Sequence, residues 1–323
     1  MFVIGFEAII GGKRFTRLHR VEIHDSIKTL GKSARLMLPS SSRLERKGAF
    51  ISEVELAKTF QVGDEVVINF GYDGIKHEEF RGYLRKIKPT TPLEIECEDE
   101  VYNLRRKTMQ KSFRNTTLKN IIEYVLEGTG IQVVNDVPKV NFRTFVIKRV
   151  NAAQVIEKLR KEYGLTIYFR AQKSLVIGLA SETDGTIVKY VVGRNVISHD
   201  LEWESEENVR LKVKAVLVGK DNTFTTKEVG EADGEQRTIF FYNLATGDNL
   251  EQRAQEELLK YRYSGYRGSL TGFLLPVCRI GNTVRLIDEN FDNQEGDYLV
   301  EEVKTSLSDR GGRRQVKLGL KLN

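Results

Sequence analysis

Cysteine, proline and tryptophan are scarce in this chain: its 323 residues include two cysteines, five prolines and one tryptophan. Cys97 and Cys278 stand without a CxxC pair or a neighbouring histidine, which excludes a disulfide framework and a cysteine-rich metal site. Cys97 continues the alternation of Leu93 and Ile95, a pattern that predicts a buried strand position. We therefore expect two free thiols in a reducing compartment.

Long apolar runs and the common catalytic signatures are also missing. No stretch approaches the roughly 18 apolar residues of a membrane span, and the opening MFVIGFEAIIGGKRF lacks the charged leader and cleavage site of a signal peptide. The patterns HExxH, GxGxxG and GxxxxGK[ST] do not occur in the positions that their chemistry needs. We therefore expect no membrane insertion, no cofactor and no metal ion.

Charge is plentiful but nearly balanced, with 51 Lys and Arg against 45 Asp and Glu. The distribution is uneven, because residues 104–120 carry six cations and no acid, whereas EWESEE at 202–207 is acidic. A basic segment is typical of nucleic-acid binding. In a protein so rich in both signs it is more often a solvated surface, although both interpretations stay open.

The chain contains two pairs of matching segments. VEIHDSIKTLGKSARLML at 21–38 aligns without a gap on VISHDLEWESEENVRLKV at 196–213, so that His24-Asp25 falls on His199-Asp200 and Arg35-Leu36 on Arg210-Leu211. Farther along, VGDEVVINF at 62–70 matches IGNTVRLID at 280–288. Two matches in the same order indicate a duplicated unit.

Spacing within the two copies indicates an insertion in the second one. From Gly63 to Phe80 is 17 residues, and from Gly281 to Tyr298 is again 17. However, 39 residues separate His24 from Gly63, whereas 82 separate His199 from Gly281, so the second copy carries 43 more. We expect the two copies to superpose with His24 over His199 and Gly63 over Gly281.

Periodicity divides the chain into strand-rich ends and a helical middle. Segments such as EVVIN, LEIEC and QVKLGLKL alternate as strands do, whereas Thr117 and Asn151 precede amphipathic helices that align at an offset of 34 residues. Asp248 is predicted to cap a third helix. We predict an α+β, mainly β protein, with two similar small antiparallel β-barrels flanking an α+β domain. The predicted boundaries are 1–100 for the first barrel, 101–181 for the α+β domain with its repeated helix–strand unit, 182–219 and 266–323 for the second barrel, and 220–265 for an inserted hairpin–helix subdomain.

No set of residues points to catalysis. Adjacent residues of a strand face opposite sides, so neither His24-Asp25 nor His199-Asp200 can converge on one substrate, and His77 lies beside a turn. We therefore expect no catalytic residues and no enzymatic activity. Two alternatives stay open. YRYSGYRG at 261–268 and RGGRR at 310–314 resemble the aromatic and basic surfaces of single-strand nucleic-acid-binding barrels, and abundant carboxylates leave room for a polysaccharide-degrading enzyme.

Together these segments resemble the tail hub proteins of contractile-tailed phages, the late control protein D family, and the hub module that opens type VI secretion spike proteins. The resemblance covers essentially the whole chain. It is carried by QVGDEVVINFGYDG, FRGYLRKI, LEIECEDEVYNL, TLKNIIEYVLEGTGI and IGNTVRLIDENFDNQEGDYLVEEVKTSLSDRGGRRQVKLGLKL.

The resemblance implies a structural protein of a phage or prophage tail baseplate, or of a related contractile injection system. Such a hub is a homotrimer with pseudo-sixfold symmetry, whose ring joins a sixfold tail tube to a threefold spike. It implies contacts with tube, spike and other baseplate proteins, DNA only passing through the channel, assembly in the host cytoplasm and a final place in the virion tail. Because the last barrel strand ends near Asn323, we expect the spike to be a separate protein.

The residues of each interface are not evident from the sequence. We expect barrel edges to meet head to tail, the first barrel of one chain against the second of the next, with roughly 2,000 Å² or more buried at each contact. The basic residues Arg105, Arg106, Lys107 and Lys111 follow the first barrel, where they would lie near the channel, near a partner or in solvent.

Overall fold

A computed structural model describes residues 3–46, 49–178, 183–219, 223–242, 250–289 and 295–322, with the backbone alone at 42–46 and 49–54. Its first repeat is built from strands whose side chains alternate between a core and a polar face, as in β9, where every second residue is buried. The elements are β1 (Ile4–Ile10), β2 (Lys13–Phe15), β3 (Arg20–Ser26), β4 (Ser33–Leu38), β5 (Ser41–Arg46), β6 (Ala49–Glu55), α1 (Leu56–Thr59), β7 (Glu65–Tyr72), β8 (Ile75–Lys88) and β9 (Leu93–Glu98).

The middle of the chain forms the α+β unit. Asn151, predicted as a helix cap, forms a reciprocal capping box with Gln154. Thr117, predicted to precede the first helix, caps it, since Thr117 Oγ1 accepts from Asn120 N at 3.2 Å. Gly164 ends the second helix in the left-handed conformation that favours glycine. The elements are α2 (Val101–Arg106), β10 (Thr108–Thr117), α3 (Leu118–Leu126), β11 (Gln132–Val133), β12 (Asn141–Asn151), α4 (Ala152–Tyr163), β13 (Thr166–Ala171) and β14 (Ser174–Gly178).

The remainder contains the second repeat and its insertion. The predicted cap Asp248 and the predicted boundary between 181 and 182 lie outside the described residues. The elements are β15 (Ile187–Val191), β16 (Val196–His199), β17 (Glu202–Glu204), a 3₁₀ turn (Glu206–Asn208), β18 (Leu211–Val218), β19 (Phe224–Gly230), β20 (Glu235–Tyr242), α5 (Leu250–Tyr261), β21 (Gly265–Arg267), β22 (Ser269–Gly272), β23 (Thr283–Ile287), β24 (Gly296–Ser308) and β25 (Gly311–Lys321).

Strand order shows the duplication directly. The first repeat runs β1-β7-β8-β9-β4-β3 across its sheet, and the second runs β15-β23-β24-β25-β22-β16. The orders correspond strand by strand, except that β1 pairs antiparallel with β7 whereas β15 pairs parallel with β23. β3 pairs with β24, which merges both repeats into one 13-stranded sheet. The predicted class, α+β and mainly β, is confirmed.

The insertion departs from the prediction in two ways. β18 was predicted to belong to the second barrel, but it forms a separate sheet of order β19-β18-β20. The predicted hairpin is also wrong, because β18 lies between β19 and β20. Gly234 makes this crossing possible, since a Cβ there would lie 2.6 to 2.8 Å from the backbone of Leu211. The insertion therefore includes residues 211–218.

This arrangement also corrects half of the first sequence match. β16, with His199, occupies the place of β3, with His24, so the His-Asp segments do correspond. Arg210 and Leu211 lie at the start of β18, whereas the counterpart of β4 is β22. The shared Arg-Leu was a coincidence between two alternating strands, because alternation identifies a strand but not its partner.

Each unit has its own apolar core. One core lies in the first repeat, with Leu36, Ile68 and Phe80 among its buried residues. The second repeat is centred on Tyr190 and Tyr298, which are fully buried. The α+β unit packs α3 and α4 over its strands, and the insertion buries α5 against β18. The two repeats are thus separate cores under one continuous sheet.

Candidate functional surface at the joint and the open edges

The joint between the repeats is a strand pair. β24 is 13 residues long, and its first part pairs with β23 while its second part pairs with β3 from Glu302–Ser26 to Ser308–Arg20. Seven consecutive residue pairs join two halves that are far apart in sequence. Backbone hydrogen bonding therefore runs without interruption from one repeat into the other.

A buried ion pair reinforces this joint. Arg314 on β25 and Glu79 on β8 are 1% and 4% exposed, and their closest atoms lie 2.7 Å apart. Arg314 also donates to the carbonyl oxygens of Leu274 and Cys278 and to Thr305 Oγ1. With its donors engaged, this guanidinium is fully paired inside the protein.

Glu79 reaches Arg314 because the strand that carries it bulges. Ile68 pairs with Phe80 and Asn69 with Glu78, so Glu79 is an extra residue in β8. A bulge changes the direction of one side chain relative to the regular alternation. Here it places a carboxylate of the first repeat next to a guanidinium of the second.

Two further contacts cross the same joint. Arg279 Nη2 donates to the carbonyl oxygen of Glu78 at 2.9 Å, and Leu274 N donates to the Tyr72 hydroxyl at 3.3 Å. The Leu274 side chain belongs to the core of the first repeat although it comes from the second. Charge, hydrogen bonds and apolar packing therefore all hold the repeats against each other.

The matching glycine loops have the same local structure. Gly63 N donates to the Leu84 carbonyl at 2.8 Å, and Gly281 N donates to the Val300 carbonyl at 3.1 Å. Both glycines have positive φ, at 102° and 82°. The next residue closes each turn with its side chain: Asp64 Oδ2 accepts from Gln61 N, and Asn282 Oδ1 accepts from Arg279 N. The shared Gly-Asp and Gly-Asn therefore mark one turn used twice.

The equal spacing from these glycines to Phe80 and Tyr298 is accidental. Val66, three residues after Gly63, pairs with Gly82, whereas Val284, three residues after Gly281, pairs with Tyr298. Tyr298 is thus the counterpart of Gly82, not of Phe80.

The two His-Asp pairs hold local structure. His24 Nε2 lies 3.3 Å from Glu302 Oε1 across the joint, and Asp25 lies 3.6 Å from Lys32. In the second copy His199 Nδ1 accepts from Leu201 N, while Asp200 Oδ1 accepts from Ser269 N and Ser269 Oγ. The Ser269 hydrogen bonds hold the pKa of Asp200 below its usual range. His77 lies on β8 opposite Phe70.

Asp99 follows β9 and closes the turn into α2. Its carboxylate accepts from Lys32 N at 2.7 Å and from Val101 N at 3.0 Å. Burial nevertheless raises its pKa to about 7, and the nearby Asp25 carboxylate adds to the increase. Burial also raises the pKa of Asp25, against the influence of Lys32. The buried Asp99 and the partly buried Asp25 therefore lie where the first repeat meets the α+β unit.

We expect Asp99→Asn to change the pH dependence of stability. A raised pKa in the folded state means that the contribution of Asp99 is fully present below about pH 4 and is lost as the pH rises through 7. Between pH 5 and 8 the unfolding free energy of the variant should gain about 2 to 3 kcal/mol relative to that of the unmodified protein. Urea unfolding at several pH values measures this difference.

Asp200→Asn is the control for that experiment, because the lowered pKa of Asp200 places its titration below pH 4. Its stability difference from the unmodified protein should change little between pH 5 and 8. The raised pKa of Asp99 would be contradicted if the stability difference between Asp99→Asn and the unmodified protein stayed constant from pH 5 to 8, or if the variant became relatively less stable over that range.

A polar groove of about 770 Å³ runs over the sheet at the joint and is lined by residues of both repeats. Its three carboxylates are each paired with a cation. Glu22 lies 2.5 Å from Arg20, Glu96 lies 2.5 Å from Arg85, and Glu98 lies 3.1 Å from Arg105. Five Lys and Arg side chains line the groove against these three carboxylates, so it presents a polar surface with an excess of positive charge.

The basic residues after the first barrel have partners within the chain. Arg105 pairs with Glu98, and Arg106 donates to the Tyr102 hydroxyl at 2.9 Å. Lys107 Nζ donates to the carbonyl oxygens of residues 124, 125 and 127, which end α3. A cation at a helix C-terminus satisfies its last carbonyl groups. Lys111 lies over the rings of Phe113 and Tyr124.

The aromatic and basic stretches at 261–268 and 310–314 are also occupied. Tyr263 lies under the Arg267 guanidinium, 4.7 Å from ring centroid to Cζ. Tyr266 is buried, packs edge-on against Trp203 and donates to Asp288. Arg314 holds the joint. Most of the residues that suggested nucleic-acid binding are therefore used to fold the protein.

Among the described residues the sheet has open edges at both ends. β1 pairs with β2 only through Ala8, Ile9 and Ile10, so the outer side of Ile4–Glu7 is unpaired. Gly11 N donates to Glu65 O, and Asp73 N donates to Val3 O. Along an antiparallel pair, residues that bond to the partner strand alternate with residues that face away from it. The backbone N–H and C=O of Ile4 therefore point away from β7, to the outer side of the sheet. At the other end β16 pairs only with β22. Such edges offer hydrogen bonds to another strand.

The described part of the chain contains no group of three or more histidine, cysteine, aspartate or glutamate side chains that could hold a metal ion. None of the helices described is long and apolar enough to cross a membrane.

No protein-family model matches the sequence, and no curated protein matches it either. Solved structures do match. A 43 kDa tail protein of prophage MuSo2 from Shewanella oneidensis superposes with a TM-score of 0.63 at 19% identity, covering 98% of both chains. A tail protein from Neisseria meningitidis gives 0.64 at 14% identity, covering 99% of this chain and 97% of that one.

A third structure is an Escherichia coli protein described as a component of the type VI secretion system with structural similarity to phage T4 tail proteins. It gives a TM-score of 0.59 at 10% identity and covers 97% of this chain and 76% of that chain. The similarity extends over the whole chain in all three cases. This chain therefore has the fold of phage tail proteins and of this secretion-system component, in agreement with the resemblance to tail hub proteins.

Proposed function

We propose that the protein is a structural hub of a phage tail baseplate or of a related contractile injection system. The observation that carries this proposal is the repetition of one six-strand order in a single continuous sheet. Three copies of a doubled unit supply six similar units, which is what a threefold ring needs to match a sixfold tube. The whole-length similarity to a prophage tail protein and to a second tail protein supports it.

In this proposal the protein works by assembly and has no enzymatic activity. It forms a homotrimer, contacts a tail tube protein on one side and a separate spike protein on the other, and belongs to the virion tail after assembly in the host cytoplasm. Other baseplate proteins surround it, and DNA meets it only during passage through the channel. The alternative, a single-strand nucleic-acid-binding protein, is less supported because Tyr266 and Arg314 are buried.

The two open edges are the surfaces through which we propose that neighbouring copies join. β1 of one copy would add to the sheet beside β16 of the next, so that the sheet continues around the ring. The contact is head to tail, which closes at three copies if the angle between the edges is right. Backbone hydrogen bonds across such a contact do not depend on particular side chains.

Replacing Ile4 by proline tests the edge. The Ile4 N–H points away from β7, so proline removes an outward donor at an edge position, where it is tolerated. We expect the Ile4→Pro chain to fold with its thermal midpoint lowered by only a few degrees and to lose trimer formation in light scattering. Ile4→Val keeps the N–H and should assemble as the unmodified protein does.

Co-expression with the tube and spike proteins encoded beside its gene tests the function itself. We expect a complex that contains all three proteins and three copies of this chain. A stable dimer with both edges buried against each other, or a chain that binds neither protein, would contradict the proposal. Clearing of peptidoglycan by the purified protein would contradict the non-enzymatic part.

A further inference from the structure

The strands β10 and β12 form a two-stranded ribbon that carries only positive charge. Neither strand contains an aspartate or a glutamate. Five cations of this basic ribbon are exposed to solvent: Lys111, Arg114, Arg143, Lys148 and Arg149. A patch of one sign raises the local potential and attracts groups of the opposite sign.

Most of this charge is not balanced within the chain. No described residue forms an ion pair or hydrogen bond with the side chain of Arg114, Lys148 or Arg149. On the rest of the surface, cations are commonly paired, as Arg210 is with Glu231 and Asp233 and Lys212 is with Glu228. Arg114 pairs opposite Thr144 on β12, and Lys148 follows four residues later, roughly 13 Å along the strand. The ribbon therefore presents spaced cations that are available to a partner.

The same chain has a complementary surface in the segment 202–207. Glu202, Glu206 and Glu207 are exposed, and no described cation pairs with their carboxylates, although Arg262 Nε donates to the Glu206 backbone carbonyl at 3.4 Å. The segment is held in place, because Glu206 N donates to Ser264 Oγ at 2.9 Å and Trp203 packs against Tyr266. It is thus an ordered acidic surface at the base of the insertion.

We propose that the basic ribbon of one copy binds the acidic segment 202–207 of a second copy. No described ion pair joins these two surfaces within one chain, so each is available to another molecule. They are different surfaces, which is the requirement for a head-to-tail contact that closes into a ring. The inference rests on the proposed ring, to which it adds a charged contact outside the sheet edges.

A nucleic acid is the other polyanion that could occupy the ribbon, but the aromatic rings there are not free for it. Phe113 and Tyr124 pack edge-on at 5.6 Å, and the Lys111 ammonium covers both. Binding of single strands depends largely on bases stacking against exposed rings. The ribbon therefore offers charge without stacking surfaces, which suits ordered carboxylates.

Charge reversal on each side tests the contact. Arg114→Glu with Lys148→Glu on the ribbon, or Glu206→Lys with Glu207→Lys on the segment, should each weaken self-association at least tenfold in sedimentation equilibrium at 50 mM salt. A chain with all four reversals should regain most of the lost association, since the charges are again complementary. Lys58→Glu with Arg253→Glu, on exposed residues elsewhere, is the matched control and should leave association unchanged.

The outcomes separate this inference from the proposed function. Double reversals that assemble like the unmodified protein, or a four-reversal chain as weak as the double ones, would overturn the charged contact while the hub stands. The unmodified chain staying monomeric at every concentration would overturn the contact as well, whereas failure to join the tube and spike proteins would refute the hub. A gel shift with single-stranded DNA that the ribbon reversals abolish, with self-association unchanged, would assign the ribbon to nucleic acid instead.

Discussion

Replacing Arg314 by methionine should lower the free energy of unfolding by about 3 to 5 kcal/mol. Methionine fills much of the space, but it leaves the Glu79 carboxylate buried without its cation, and a buried charge that has lost its partner is strongly destabilising. The carbonyl oxygens of Leu274 and Cys278 lose their donor in the same step. Urea unfolding of the folded variant at pH 7 measures the loss.

Two further variants make that result specific to the buried pair. Glu79→Met with Arg314→Met should be more stable than Arg314→Met alone, because no uncompensated charge remains. Lys58→Met breaks an ion pair whose side chains are 80% and 55% exposed, and such pairs contribute at most about 1 kcal/mol. A cost for Arg314→Met as small as that of Lys58→Met would contradict a structural role for the pair.

In the proposed ring the pair would matter for assembly, because it fixes how the two repeats lie against each other. A ring of three copies closes only at one angle between its contact surfaces. The strand pair of β3 with β24 could twist if nothing else crossed the joint, since sheets twist readily between adjacent strands. Arg314 and Glu79 connect β25 to β8 beside that strand pair and so restrict the angle.

The sequence was most informative where a local rule decides the structure. The helix starts at Thr117 and Asn151 depend on hydrogen bonds within a few residues, and both positions were evident beforehand. The glycine turns at Gly63 and Gly281 were found as a repeat because positive φ and the following Asp or Asn restrict the residue types there.

The pairing of strands that are far apart in the chain could not be predicted from the sequence. β18 alternates like a strand of the second barrel, and nothing local shows that its partners are β19 and β20. The parallel direction of β15 and the pairing of β3 with β24 depend on how distant segments meet. The alternation of apolar and polar residues predicts which face of a strand is buried, whereas the strand with which it pairs depends on the whole fold.

The candidate surface could be predicted only in part. The basic run was evident as composition. However, that Lys107 caps α3, while Arg114 has no ion partner among the residues that the structure describes, depends on tertiary contacts. Nothing in the sequence indicated that Glu79 forms a buried ion pair, because its side chain is redirected by a bulge in β8. Barrel edges were expected to form the contacts between copies, yet which strands lie at the edges followed only from the complete strand order.

Gly82→Ala should be among the most damaging single methyl additions in the first repeat. Gly82 lies on β8 beside the point where its pairing passes from β7 to β9. A Cβ at this position would collide with the carbonyl oxygen of Glu98 and lie 2.8 Å from the Cα of Asp99. Both are backbone atoms, so no side-chain rotation can relieve the collision.

We expect a loss of about 3 kcal/mol or more in the free energy of unfolding, at the upper end for overpacking, or failure to obtain soluble protein. Gly5→Ala is the matched control, because its added methyl would meet only the Lys76 Cγ and Cδ atoms at 3.6 Å. Its effect should stay within about 1 kcal/mol. Equal stability of the two variants would mean that β8 and β9 can move apart near Gly82 to make room for the methyl group. That separation would also move Glu79, three residues before Gly82 on β8, and Asp99, whose Cα lies next to Gly82. The contact of Glu79 with Arg314 would then no longer hold the two repeats in one orientation.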